Sequence, residues 1–237
     1  MIRIENTGVY GFEAAIRGMR NPMNSWEKSD SFIRTCSKGD LDRLCDKNCQ
    51  DPYCSGPNIS GIGKNDLDLM IRLRNAGTDH RKFMRMITVT ADITAPLYWY
   101  KEYDTYKVGT VANSCSTMHK IHAKEFDVND FSHEHVEELT GDDYNMSYDF
   151  LLRTVDILNY YRKKFLETND KKYWWQMIQL LPSSYNQRRT VMLNYEVLTN
   201  IYHARKNHKL DEWHTFCDWI EELPCSELIT NNGNEEL

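Results

Sequence analysis

The sequence predicts a domain of the α+β class, and three observations carry that reading. Residues 1–10 (MIRIENTGVY), 86–93 (MITVTADI) and 187–193 (QRRTVML) alternate apolar with polar side chains or are rich in β-branched ones. That is the patterning of half-buried strands. Between and after them run segments with apolar residues at helical spacing, which is the patterning of amphipathic helices. The chain of 237 residues is 41% hydrophobic and 12% aromatic, enough to bury a core in one large domain or two small ones.

Taken in order, the first strand leads into a short helix from Glu13 to Met19, stopped by the turn-forming run Arg20-Asn21-Pro22. Ordinary helix-stop chemistry accounts for that run. Residues 27–64 read as a loop-rich insertion holding Cys36, Cys45, Cys49 and Cys54. Four thiols this close in sequence are candidate ligands for zinc or an iron–sulfur cluster. No CxxC pair occurs among them, so free thiols on a surface loop are the expected reading and a metal is the alternative. A capped amphipathic helix spans Asn65 to Asn75, with Leu67, Met70, Ile71 and Leu73 on its apolar face, and Gly77 ends it. Ala95-Pro96 opens a helix through LYWYKEYDTY, with Pro where no backbone donor is needed.

Residues 123–146 carry eight acidic residues against one Lys, together with His133 and His135. This composition reads as a solvated linker or lobe loop. A long amphipathic helix follows from Ser147 to Thr168, and KKYWWQMIQL reads as a further short one, its Trp174-Trp175 pair packing in a core or subunit interface. After Trp213 a helix continues through Phe216, Trp219 and Ile220 to Leu223-Pro224, and the tail from Thr230 is expected to be disordered. No internal repeat is seen. The organisation read from this is a single domain over 1–229 with the insertion at 27–64 and the acidic segment at 123–146.

The net charge of −6 argues against nucleic-acid binding through a basic field. No apolar run is long enough to span a membrane. MIRIENTGVYGF lacks a signal-peptide pattern, and seven cysteines without such a signal fit a reducing, cytoplasmic setting.

The stretch Leu181–Trp213 is the most informative. From Asn194 a helical pattern places Asn194, Ile201 and Arg205 within about 40° of one another, with His208 close by. Asn194 and Arg205 are then about 16 Å apart, the length of a flat, multi-ring ligand. An amide, an arginine and an imidazole over that span suit such a ligand. An amphipathic surface helix with solvated polar residues explains the same spacing.

Leu-Pro, a variable run, Asn194-Tyr195, Arg205, then an acidic residue and Trp213 together resemble the C-terminal signature of flavin-dependent thymidylate synthases, the ThyX family. The resemblance implies that Asn194 and Arg205 face flavin and nucleotide, and that Asn200 and His208 position the flavin. Glu196 departs from it, because the family carries a basic residue there. A second stretch is similar too. His80 takes the place of the histidine before the strand, and Ala95-Pro96 matches. Thr105-Tyr106-Lys107 stands where the family has Arg-His-Arg. Cys115 falls at the family's serine, between Ser114 and Ser116, and Thr117 stands where an arginine is expected. Asn21, Asn24 and Ser25 occupy the region of a small polar residue near the flavin.

The resemblance implies an α+β ThyX-like fold, a central sheet with flanking helices, forming a homotetramer with FAD at subunit interfaces. It implies methylation of dUMP to dTMP, with methylenetetrahydrofolate supplying the carbon and NADPH reducing the FAD. Arg205 would bridge uracil and flavin, and His80 would line the ring system. Arg188 or Arg189 would add charge for the anionic nucleotide. Ser114, Cys115, Ser116 and the backbone of VGTVANSCS would cradle a phosphate, with Lys107 as a point charge. Lys82, Arg85 and Lys101 are candidates to compensate for the missing arginines. A nucleophilic Cys115 would need a nearby cation or helix N-terminus, and the family does not use that thiol. Two alternatives stay open. One is a divergent enzyme of the same fold that transfers a one-carbon unit to another pyrimidine nucleotide. The other is a non-catalytic nucleotide-binding or interaction protein.

Overall fold

The computed structural model describes residues 2–32, 61–136 and 146–231. Cys36, Cys45, Cys49, Cys54, part of the acidic segment and the end of the tail lie outside the described residues. The strands are β1 (Arg3–Tyr10), β2 (Thr88–Pro96), β3 (Val111–Ser114) and β4 (Asn186–Asn194). They form one antiparallel sheet in the order β1-β2-β4-β3. The three predicted strands are present. β3 lies inside the stretch expected to form a phosphate-cradling loop. It pairs along β4 from Val111↔Met192 to Ser114↔Arg189, and all four of its residues are exposed.

Alternation decides what each face of the sheet does. On β2, Val89, Ala91, Ile93 and Ala95 are buried, while Thr88, Thr90, Asp92 and Thr94 face the other way and are partly exposed. Opposite them, Val191 and Leu193 of β4 are buried and Thr190 and Met192 are exposed. The apolar face is covered by helices. The other face is a polar lattice centred on Asp92, whose carboxylate accepts from Asn6 Nδ2 at 2.8 Å, Arg188 Nη2 at 2.8 Å and Thr190 Oγ1. These hydrogen bonds hold its pKa far below the usual carboxylate range. Asn6 reaches it from a β-bulge, at φ 54°, where the β1–β2 register shifts.

The covering helices are α1 (Phe12–Arg20), α2 (Lys64–Asn75) and α3 (Leu97–Tyr103), followed later in the chain by α6 (Tyr195–Arg205), α7 (Asp211–Glu221) and α8 (Glu227–Thr230). Their centre is aromatic. Trp99 stacks on Tyr103 at 5.0 Å and tilts against Trp213 at 4.7 Å, and all three are sealed from solvent. Such rings dominate core energetics through sheer buried area. α3 is shorter than its sequence pattern suggests. Pro96 is its N-cap, and after Tyr103 the chain turns tightly, with Thr105 N–H and Thr105 Oγ1 both donating to the Glu102 carbonyl. Thr230 belongs to α8 and not to the tail.

A second core lies apart from the sheet. α4 (Met146–Thr168) and α5 (Lys171–Leu180) pack Leu151, Val155, Leu158 and Met177 against Ile121, Phe126 and Phe131. The acidic segment is therefore not a solvated linker over residues 123–136. Its two phenylalanines are buried, and Asn159 clamps the Phe126 backbone at both N–H (2.9 Å) and carbonyl (2.8 Å). Trp174 packs on this core and donates its indole N–H to the Met118 carbonyl, while Trp175 is exposed.

Beneath α1 and α2 sits an ion pair sealed from water. Arg20 Nε donates to Asp66 Oδ1 at 2.6 Å, and the two side chains are 4% and 0% exposed. Arg20 also donates to the carbonyls of Ser25 and Lys28, and Asp66 accepts from Ser29 Oγ and the backbone of Asp30 and Ser31. Ser25, a candidate flavin neighbour, is buried in this staple. Trp26 Nε1 donates to Asn21 Oδ1, and Asn24 adopts the left-handed conformation at φ 47°.

Candidate functional site

β4 runs straight into α6, and Asn194 is the hinge between them. It is the helix N-cap, buried, with its Oδ1 accepting the Val197 N–H at 3.0 Å. That fills one of the orphan donors of a helix start. The three-turn stripe drawn from Asn194 through Ile201 to Arg205 and His208 is not one open face. Asn194 precedes the helix, Ile201 is sealed in the core, Arg205 is the last helical residue, and His208 lies beyond it. Asn200 is exposed.

Arg205 is the centre of a polar cluster at the junction of α3, α6 and α7. Its Nη1 donates to Glu102 Oε2 at 2.7 Å, and its Nε donates to the Tyr106 hydroxyl at 2.9 Å. The guanidinium lies 4.9 Å from the centre of the Trp213 ring, within cation–π range. Trp213 Nε1 donates to the same Glu102 oxygen at 3.1 Å, and His208 Nε2 lies 3.3 Å from it. The Leu210 N–H donates to His208 Nδ1 at 3.2 Å. Nδ1 is thereby an acceptor and Nε2 carries the proton. The arrangement engages Nε and Nη1 and leaves Nη2 without a hydrogen-bond partner among the described residues.

A second cluster flanks Asn194. Glu196 is buried and takes Arg81 Nε at 3.3 Å and Arg85 Nε in a shorter contact. Burial would raise its pKa, but the hydrogen bonds and charges of Arg85 and Arg81 outweigh burial and hold it below the ordinary range. This answers the departure at Glu196. The acidic residue is neutralised by Arg81 and Arg85 from the turn Arg81–Met86. His80, Lys82 and Lys107 are exposed, and Lys107 makes no ion pair among the described residues.

The remaining candidates separate. Arg188 and Arg189 point to opposite faces of the sheet: Arg188 pairs with Asp92, while Arg189 donates to Asp104 Oδ1 at 2.7 Å and lies 3.7 Å above the Tyr100 ring. Ser114 and Cys115 are exposed on or beside β3, and the backbone of Cys115 is bound to the Arg188 carbonyl and the Gln187 amide. The Ser116 hydroxyl already accepts the N–H groups of Met118 and His119. Cys217 and Cys225 are free thiols whose pKa values burial pushes up to about 11 and about 12. Among the described residues no group of His, Cys, Asp and Glu is placed to hold a metal, and no helix is long and apolar enough to cross a membrane.

Gly109, two residues after Lys107, lies against Asn194. Its φ is +75°, and a Cβ there would lie 2.4 Å from Asn194 Nδ2. Gly109→Ala is expected to cost about 1–2 kcal/mol from the left-handed backbone alone, with displacement of Asn194 or the loop in addition. Thermal unfolding checks the first effect. Ligand titration checks the second, as a loss of affinity larger than the lost stability predicts.

Sequence reading missed Glu102 and underrated Tyr106. The available signal was the one acid of the Leu97–Tyr103 helix, in a segment rich in aromatic residues. An arginine at the end of a largely buried helix needs such a partner.

No family model matches the sequence, and no curated protein matches it. Solved structures do. The chain is similar to the flavin-dependent thymidylate synthase ThyX from Helicobacter pylori complexed with FAD and dUMP, with a TM-score of 0.62 at 16% identity, over 96% of this chain and 97% of that one. A second structure of that protein with FAD and dUMP gives 0.63 at 16% identity, over 97% of each chain. The UMP/dUMP methylase PolB from Streptomyces cacaoi bound with 5-Br dUMP gives 0.59 at 12% identity, over 97% and 95%. The chain has the ThyX fold over nearly its whole length.

Proposed function

We propose that this protein is a flavin-dependent thymidylate synthase-like enzyme that methylates dUMP to dTMP, with methylenetetrahydrofolate as carbon donor and NADPH as reductant of its FAD. The observation that carries the reading is the Arg205 cluster, set at the junction of α3, α6 and α7 in a chain of the ThyX fold. The side chains present suit a flavin and a nucleotide. Among the described residues Arg205 Nη2 has no partner, and Asn200, His80 and Lys107 are exposed with no competing ion pair.

Bound FAD would supply hydride transfer, which no side chain performs. The protein's part is orientation and charge. Arg205 would donate from Nη2 to a ring carbonyl, Asn200 and His208 would orient the flavin, and Lys107 would neutralise a phosphate oxygen as a point charge. Several of these side chains are exposed, which supports a homotetramer in which neighbouring subunits complete each site. A cytoplasmic setting goes with the same reading.

A specific observation favours a second reading, in which the substrate is another pyrimidine nucleotide. Tyr106 and Lys107 stand where the family has His and Arg, and Arg81 and Arg85 are consumed by Glu196. The anion-binding side is thereby rebuilt. A visible absorbance spectrum of the protein with FAD, followed by addition of dUMP and then of other pyrimidine nucleotides, tests both. Flavin bands that shift with dUMP support the first reading. A shift only with another nucleotide supports the second. No flavin uptake at saturation overturns both and leaves a non-catalytic protein of the same fold.

A further inference from the structure

We infer that Glu102 is the positioning residue of this site, the single carboxylate that fixes the directions of the Arg205 guanidinium and the His208 imidazole; the roles of those two groups rest on the function proposed above. One oxygen, Oε2, gathers Arg205 Nη1 at 2.7 Å, Trp213 Nε1 at 3.1 Å and His208 Nε2 at 3.3 Å. The three differ in how firmly they are held. Trp213 is wholly buried, wedged against Trp99 and Phe216. Its N–H therefore fixes the carboxylate. The carboxylate in turn fixes two groups that are 19% and 25% exposed and would otherwise sample several rotamers.

A carboxylate is required for this, by inventory. Three donors converge on one oxygen, and an ionised carboxylate is an acceptor only. A glutamine could accept through its carbonyl, but it would remove the charge facing Arg205 and add an N–H₂ among donors. The Tyr106 hydroxyl and the Trp213 ring hold the other sides of the guanidinium. Glu102, Tyr106 and Trp213 thus leave Nη2 without a partner among the described residues. The Leu210 N–H holds His208 Nδ1, so the proton on Nε2 is directed at Glu102.

The test uses the full chain as wild type, Glu102→Gln, Arg205→Lys and the double variant, each first shown to be folded by thermal unfolding. Long-range proton–nitrogen NMR of the His208 ring, assigned with His208→Asn, needs no ligand. In wild type it should show a protonated, exchange-protected Nε2 and a bare Nδ1. In Glu102→Gln the protection should be lost. Titration with FAD should then show roughly tenfold weaker binding in Glu102→Gln, and a smaller further loss, from His208 alone, when that change is added to Arg205→Lys. Unchanged His208 signals in Glu102→Gln, or FAD losses that simply add, overturn the inference. Should wild type bind no FAD, the functional reading fails, while the NMR comparison still decides whether Glu102 positions His208.

Discussion

Arg205→Ala is expected to lower kcat/KM for the proposed methylation of dUMP by at least about a hundredfold, the scale of losing a preorganised donor to a developing charge. The expectation follows from how the side chain is held. Two of its nitrogens are spent on Glu102 and Tyr106, and its plane rests over Trp213. A group this well tethered reaches a ligand already oriented, and its removal cannot be made good by a neighbour. Arg189, another arginine beside α3, is tied to Asp104 and Tyr100. Arg205→Lys should recover little, because the three N–H groups of an ammonium radiate from a single nitrogen and cannot reproduce the planar spread of the guanidinium's Nε, Nη1 and Nη2. Steady-state kinetics, with FAD occupancy measured by absorbance, checks this. Near-wild-type turnover in a folded Arg205→Ala protein would remove Arg205 from the mechanism.

The largest stability effect is expected at the buried staple. Asp66→Ala leaves the Arg20 guanidinium uncompensated where its side chain is 4% exposed. Breaking one half of such a pair costs about 3–5 kcal/mol, or about 10 °C in a domain of this size. Ser29, Asp30 and Ser31 also lose their common acceptor. The pH dependence has a definite sign. Burial would raise the Asp66 pKa, but hydrogen bonds from Ser31, Ser29 and Arg20 outweigh it and hold it below its usual value. A depressed folded-state pKa stabilises fully above the unfolded value of about 3.9 and is lost as pH falls below it. Thermal unfolding from neutral to acid pH should show wild type losing its advantage over Asp66→Asn at the acid end. Replacing both partners by apolar residues should recover much of the loss. A single-site cost under about 1 kcal/mol would mean that the pair contributes little.

Much of this molecule was legible in the sequence because burial is one-sided. β2 and β4 alternate since one face is covered and the other is not, and α4 shows its apolar row for the same reason. β3 was illegible because all four of its residues are exposed, so nothing in Val111–Ser114 records a face. The buried Phe126 and Phe131 were hidden by the acids around them, since composition averages over the two residues that do the packing. At the site, Arg205 could be picked out by motif, but its partner Glu102 is 103 residues away. No local pattern distinguishes a carboxylate that meets an arginine from one that meets water. Motif resemblance does not distinguish Arg188 from Arg189, whereas neighbours on a strand must face apart.

That last arrangement bears on the fidelity of folding. Adjacent arginines on β4 are each matched to an acid on a different side of the sheet, Arg188 to Asp92 and Arg189 to Asp104. A slip of one residue between β2 and β4 would exchange them, carrying each guanidinium away from its acid and turning Val191 and Leu193 outward together. The strand therefore works as a key cut on both edges. Hydrophobic alternation sets which face is inward, and the two charges penalise a misregistered pairing that the long run of backbone bonds between β2 and β4 would otherwise tolerate.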